Sequence, residues 1–346
     1  MVSRKQMDVG AAESRKLFLT MRNFLRYLFS LEKKPRKGLL AYEWAMLAYL
    51  LFTLVFIAVT YTKIPHANLM MVGRFKVAAV TIAMWGVYRM LPCGLTMLAR
   101  AVVQMSLLSW WYPDLFELNR HLPNLDHLFA SWEQAVFHCQ PALLFSQVFS
   151  HGIFSELMCL GYYSYYPMML VVAMGVLFYK REHFERIIFI ILASFFIHYV
   201  IFIFLPVSGP QFYYEAVGMD KIAQGVFPNI YDHFNFQQVR MECPGFKDGI
   251  FYALVEQAHQ AGERPVAAFP SSHVSITVVL MFIAWRMDLR KVFWTLLPFA
   301  VLLFFSTVYI RAHYAIDAFA GLVSGALCYF LLEWATCHYQ FGKKGK

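Results

Sequence analysis

Apolar residues run in long blocks along this chain. Eight of these blocks approach the roughly 20 residues a helix needs to cross a bilayer. They fall at 39–62, 74–91, 95–112, 157–179, 186–205, 267–286, 291–311 and 313–335. Only Leu91-Pro92-Cys93-Gly94 separates the second from the third, so residues 74–112 read either as a tight helical hairpin or as one broken span. Two long segments lie between the blocks, 113–156 and 206–266. In the first, Asp126–Val136 has the spacing of an amphipathic helix lying in the membrane interface. The second opens with Leu205-Pro206-Val207-Ser208-Gly209-Pro210 and shows no period; segments of this length without periodicity are functional or disordered. Aromatic clusters at Trp110, Trp111 and Tyr112, at Tyr162 to Tyr166, and at Tyr213 and Tyr214 read as interface anchors. The pattern predicts an all-α integral membrane protein, a polytopic helical bundle of about six to eight transmembrane helices.

Composition agrees. The 346 residues are 60% hydrophobic and only 15% charged, with a mean hydropathy of +0.51. Soluble domains carry about 45–50% apolar and about 25% charged residues, so an ordinary cytosolic enzyme and a disordered chain are both excluded. The net charge of +9 does not point to nucleic acid, because its excess lies beside the spans.

Charge sets the expected orientation. Residues 1–38 hold ten Lys and Arg, and no signal-peptide core precedes the first apolar block. Leu17–Leu31 carries apolar residues at helical spacing and reads as part of a basic arm near anionic headgroups. With the amino terminus inside, 21 of the 30 basic residues fall in inside segments, including Lys343, Lys344 and Lys346 at the other end. The expected organisation is a cytoplasmic arm (1–38), amino-terminal spans (39–112), an outer segment (113–156), a core (157–335) and a cytoplasmic tail (336–346). Six cysteines show no CxxC and no zinc spacing. Cys139 and Cys243 fall in the two outer segments, which allows a disulfide between them without requiring one.

Ionisable residues near a span are costly and so mark function. Two clusters stand out at the outside ends of spans: Phe269-Pro270-Ser271-Ser272-His273, and Ser306 through Asp317. A topology built from charge and hydropathy alone thus puts both on one membrane face. A spacing of four on a helix would bring Asp317 onto His313. Asp317 can then accept the proton on one imidazole nitrogen and leave the other as a nucleophile. His273 can protonate a leaving oxygen. Ser271, Ser272 and nearby backbone N–H groups suit phosphoryl oxygens at a helix start, and Arg311 suits phosphate charge. His151, His198, His233 and His259 form no such set and read as structural or loop residues.

The clusters resemble the second and third signatures of the type 2 phosphatidic acid phosphatase superfamily, P-S-G-H and S-R-x5-H-x3-D. Pro270-Ser271-Ser272-His273 has Ser where the signature has Gly, and Ser306-Thr307-x5-His313-x3-Asp317 has Thr where it has Arg. The resemblance covers about residues 150–335 and includes Ala320-Gly321. It implies a six-helix catalytic core, a phosphohistidine on His313 oriented by Asp317, and His273 as the acid. No first signature, K-x6-R-P, is found; Arg264-Pro265 has Gln257 seven positions before Arg264. Arg311, one helical turn beyond Thr307, is a candidate replacement for the missing Arg. Lys221, Arg240, Lys247 or Arg264 are candidates for the missing first-signature cations. These departures, with the Pro- and aromatic-rich run Pro206–Tyr213, resemble the branch of inositol phosphorylceramide synthases.

Two functions of one site follow. Water attack would make a lipid phosphate phosphatase. Attack by a lipid hydroxyl would make a phosphotransferase, such as an inositol phosphorylceramide synthase with phospholipid donor and ceramide acceptor. The site faces the periplasm or lumen, and neither function calls for a metal or other cofactor. A lipid transporter is the competing class, but transporters place polar groups near the midplane between repeats, and this chain shows no repeat.

Overall fold

The computed structural model describes residues 22–337. Of the expected arm helix, residues 22–29 are helical; the rest of Leu17–Leu31 before them, and the basic tail, lie outside the described residues. In chain order the helices are α1 (Ala41–Val59), α2 (Ala67–Met90), α3 (Gly94–Ser106), α4 (Leu108–Asn119), α5 (Asp126–Phe137), α6 (Pro141–Val148), α7 (Gly152–Tyr163) and α8 (Tyr165–Tyr179). Then come α9 (Phe184–Phe204), α10 (Pro210–Val217), α11 (Met219–Ala223), α12 (Ile250–Gly262), α13 (Ser272–Arg286), α14 (Arg290–Tyr309) and α15 (Ala315–Cys337). No strand occurs among the described residues, only an isolated bridge between Leu31 and Cys93. The chain is an all-α polytopic membrane protein.

Five helices are long and apolar enough to cross a membrane: α1, α2, α9 with the turn before it, α14 and α15. The pair α7–α8, bent by 44°, makes a sixth if taken as one span. The apolar α13 has 15 residues, about 22 Å at 1.5 Å per residue. Residues 74–112 are not one broken span, because α2 is continuous and α3–α4 is a separate rod returning beside it. The rod starts where Cys93 bridges Leu31 and ends where Asn119 Nδ2 donates to the Phe202 carbonyl at 2.9 Å. It reads as weakly apolar because it carries Arg100, Gln104 and Asp114. Each is matched inside the bundle: Arg100 to Glu43, Gln104 to Thr81 at 3.1 Å, and Asp114 to Arg74 at 2.8 Å. A buried charge persists only when paired in this way.

Three expectations change here. Most of the aromatic clusters are not interface anchors: Trp111, Tyr213 and Tyr214 are fully buried, as nearly are Tyr162 and Tyr165, while Tyr166 is exposed. Cys139 does not face Cys243; the thiol of Cys243 lies 4.0 Å from that of Cys159 on α7. The third concerns α5: the amphipathic helix forms where it is expected and leaves its apolar stripe outward, but it buries part of its polar face in the protein. Its Leu128, Trp132 and Val136 stripe is exposed, whereas Asp126 and Glu133, two turns apart, are buried and turned into the protein.

What positions the starts of α13 and α15 is their close packing on each other. A Cβ on Gly321 would stand 2.7 Å from the Ser271 carbonyl oxygen, and one on Gly325 would collide with that of Ser275. This small-xxx-small stripe lets the two backbones touch. It sets the Ser271 N–H on the Asp317 carbonyl at 3.0 Å, so the start of α13 is fixed beside the start of α15.

Candidate functional site

His273 is the second residue of α13. Ser271 caps that helix, its Oγ accepting from the Val274 N–H at 3.4 Å. The His273 ring is sandwiched between Tyr162 and Tyr165, with centroids 4.8 and 4.6 Å away. His313 sits in the five-residue turn between α14 and α15, its own N–H on the Thr307 carbonyl at 3.0 Å. The two imidazole centroids are 5.8 Å apart and the rings meet edge to face.

The orientation of His313 differs from the expected one. Helix α15 begins only at Ala315, so His313 lies before it and the helical spacing argument does not apply. The Asp317 Oδ2 is 3.7 Å from His313 Nδ1, beyond hydrogen-bonding range, and instead accepts the Tyr314 N–H at 2.9 Å. The Ala268 carbonyl takes the imidazole at 2.8 Å. A carbonyl only accepts, so Nδ1 carries the proton and Nε2 keeps its lone pair. Burial lowers the His313 pKa to about 4, which keeps the ring neutral at physiological pH. Asp317 is fully buried, with its Oδ2 taken by the Tyr314 N–H.

The turn holding His313 is clamped by residues that carry no motif. Asp126 accepts the N–H groups of Ser208 and Gly209, at 2.7 and 2.9 Å, and the Tyr314 hydroxyl at 3.0 Å. Glu133 accepts the N–H groups of Ala315 and Ile316, both at 3.1 Å, and so caps α15. Gly209, at φ +89°, abuts the Ala312 carbonyl, where a Cβ would stand 2.5 Å away. Only glycine meets that backbone angle and that contact together. The adjacent Gln211 N–H donates to the Arg311 carbonyl at 2.8 Å.

Residues 127–331 match the family model described as the PAP2 superfamily, and that stretch is more than half of the chain. The chain belongs to the PAP2 superfamily. Members of this superfamily are phosphatases and phosphotransferases, so the chain is an enzyme of phosphoryl-transfer type. No curated protein and no solved structure matches it. The matched stretch begins at His127, the second residue of α5, so it takes in Glu133 and starts one residue after Asp126.

Among the basic residues singled out in sequence, none is arranged around the two histidines as the PAP2 signatures lead one to expect. Arg311 follows the end of α14 with φ +65°, and its guanidinium donates to Ser146 Oγ on α6 at 3.1 Å. Because the helix has already ended, it does not stand one turn above Thr307. Arg264 is exposed, Lys247 pairs with Glu242 on the surface, and Lys221 is exposed. Arg240 pairs with Glu256 at 2.5 Å and is the cation felt by Glu263 and His259. The N–H groups of Ser272 and His273 make no hydrogen bond among the described residues, the open donors that any helix start offers. Ser272 is buried beside them. Among the described residues no group of three or more His, Cys, Asp and Glu is arranged to hold a metal.

One further wall of the PAP2 site comes from α12. Glu156 of α7 accepts the Phe251 and Tyr252 N–H groups, at 2.9 and 2.8 Å, and so docks the start of α12 on α7. Its far end brings in His259 and Glu263. His259 is 4% exposed and lies edge-on to Tyr162, 5.6 Å from the ring that also covers His273. Burial lowers its pKa to about 4. Glu263 accepts from the Tyr112 hydroxyl at 3.3 Å and from Gln211 Nε2 at 3.2 Å. Burial raises its pKa to about 7, against the opposing influence of His313. The sequence offered no motif for these residues, and their charge did not single them out in an outer segment that holds eleven Asp, Glu, Lys and Arg.

Proposed function

We propose that the chain is a membrane lipid phosphatase or phosphotransferase that works through a phosphohistidine on His313, at the face of the membrane opposite its termini. In this reading Nε2 of His313 attacks the phosphorus of a lipid phosphate. The phosphoryl oxygens lie against the N–H groups of Ser272 and His273. The leaving oxygen takes a proton from His273, and Asp317 balances the imidazolium that forms on His313. The observation that carries the reading is the Nδ1–H bond from His313 to the Ala268 carbonyl, with His273 facing it at 5.8 Å. In this reading the bond leaves Nε2 of His313 as an oriented nucleophile facing the second imidazole.

A second acceptor is favoured by one observation. The end of α12 and the start of α10 present hydrogen-bond acceptors beside the two histidines, and these suit a hydroxyl better than a phosphate. The finer reading is therefore an inositol phosphorylceramide synthase, passing the phospho-headgroup of a phospholipid to ceramide and releasing diacylglycerol.

Purified protein in detergent, given labelled phosphatidic acid or phosphatidylinositol with and without ceramide, separates the two. Free phosphate that ignores ceramide makes it a phosphatase. A ceramide-dependent phospholipid with matching diacylglycerol makes it a transferase. No turnover with any donor in folded protein returns the transporter class.

A further inference from the structure

The wall formed by α12 and the start of α10 is polar, buried and incompletely satisfied. His259 has both ring nitrogens buried without a partner, and Gln211, 2% exposed, has its Oε1 in the same state. Glu263 takes both of its hydrogen bonds to described residues on Oε1, and its Oε2, unlike the His259 and Gln211 atoms, is not fully buried. A buried polar atom left unpaired costs about 1–3 kcal/mol. Several such atoms on one wall, beside two catalytic histidines, point to a ligand that completes them. Most of the open positions are acceptors: a carboxylate oxygen, an amide oxygen and one nitrogen of a neutral imidazole. A phosphoryl group, which also accepts, does not fit them. A hydroxyl does.

We propose that Glu263, His259 and Gln211 form the subsite for the alcohol that attacks the phosphohistidine, with Glu263 Oε2 receiving the hydroxyl proton. This rests on the phosphohistidine reading above. In the step, the alcohol oxygen forms its bond to phosphorus as the phosphorus–Nε2 bond of His313 breaks. The bonding electron pair returns to Nε2, and the hydroxyl proton goes to the Glu263 carboxylate. His273, neutral after protonating the first leaving group, regains a proton from Glu263, and the cycle closes without another reactant. The groups that face Glu263 are Arg240, His313, Gln211, Tyr112, Tyr162 and Tyr166. None of them is a carboxylate that could take the proton instead.

The ligand chemistry has two sources, an acceptor alcohol or a hydroxylated headgroup on the donor, and the test separates them. Full-length protein in detergent is labelled from 32P-phosphatidic acid, quenched, and its phosphoenzyme followed with water alone, with ceramide and with diacylglycerol. In Glu263→Gln the decay of the label with the alcohols is expected to slow at least ten-fold, and by a larger factor than its formation. His259→Gln is expected to slow the decay in the same direction. Formation of label also shows that the variant is folded. Unchanged decay in both variants, or equal loss of formation and decay, overturns the proposal. So does a defect confined to the KM of phosphatidylinositol over phosphatidic acid, which would place the wall on the donor headgroup. A wild-type enzyme that turns over without ever labelling overturns the phosphohistidine reading itself, and this step with it.

Discussion

His313 Nδ1 lies 2.8 Å from the carbonyl oxygen of Ala268. That single bond fixes the tautomer through the backbone, where a carboxylate at hydrogen-bonding distance was expected. Asp317→Asn should therefore leave the reactive nitrogen in place and remove only the balancing charge. The expected loss is about 10²-fold in kcat, the size of one preorganised electrostatic contact, with KM little changed. A loss of 10⁴-fold, the size seen when a wrong tautomer is imposed, would contradict this division of labour.

Asp126 holds the turn of His313 from a helix remote in sequence. Asp126→Ala strands two buried N–H groups and the Tyr314 hydroxyl. At about 1–3 kcal/mol for each stranded group, with partial relaxation, a loss of about 3 kcal/mol is expected. Tyr314→Phe should cost about 1 kcal/mol. Thermal unfolding in detergent measures both; equal midpoints for wild type and Asp126→Ala would remove the clamp.

Gly209 joins the outer segment to that turn. Gly209→Ala adds a Cβ at φ +89°, facing the Ala312 carbonyl. The backbone must move at one side or the other, and a displacement of about 1 Å near the chemistry can cost about 10²-fold. Turnover of the purified variant is expected to fall by about that factor. Wild-type turnover would show that the contact does not transmit to His313.

The pH dependence follows from two groups outside the spans. His313, lowered to about 4, is neutral throughout the working range; Glu263, raised to about 7, is protonated below that value and ionised above it. If Glu263 takes the acceptor proton, transfer to an alcohol should rise through about pH 7. The rise should be missing in Glu263→Gln. A rise that persists in the variant would assign it to another group.

The spans were legible because apolar blocks are long and continuous, and the charge bias placed both motif clusters at one end, where the structure also brings them together. His273 and His313 were legible as a facing pair for the same reason. The orienting group was not, because it is a main-chain carbonyl, and side-chain spacing says nothing about where Ala268 points. Asp126 and Glu133 looked like the polar face of an interfacial helix; the same amphipathic pattern fits a helix docked with its polar face inward. Arg311 misled because helical spacing was carried past the residue where α14 ends. Glu263 and His259 had no fixed distance in sequence from the histidines they face.

The most direct test of the account asks where phosphorus becomes attached. Protein incubated with 32P-phosphatidic acid, quenched and digested, should yield an acid-labile, base-stable label on the peptide containing His313. His313→Ala should yield none and should show no turnover, while keeping the wild-type melting transition. Turnover that survives in His313→Ala, or label that remains on the enzyme without His313, would contradict the mechanism outright.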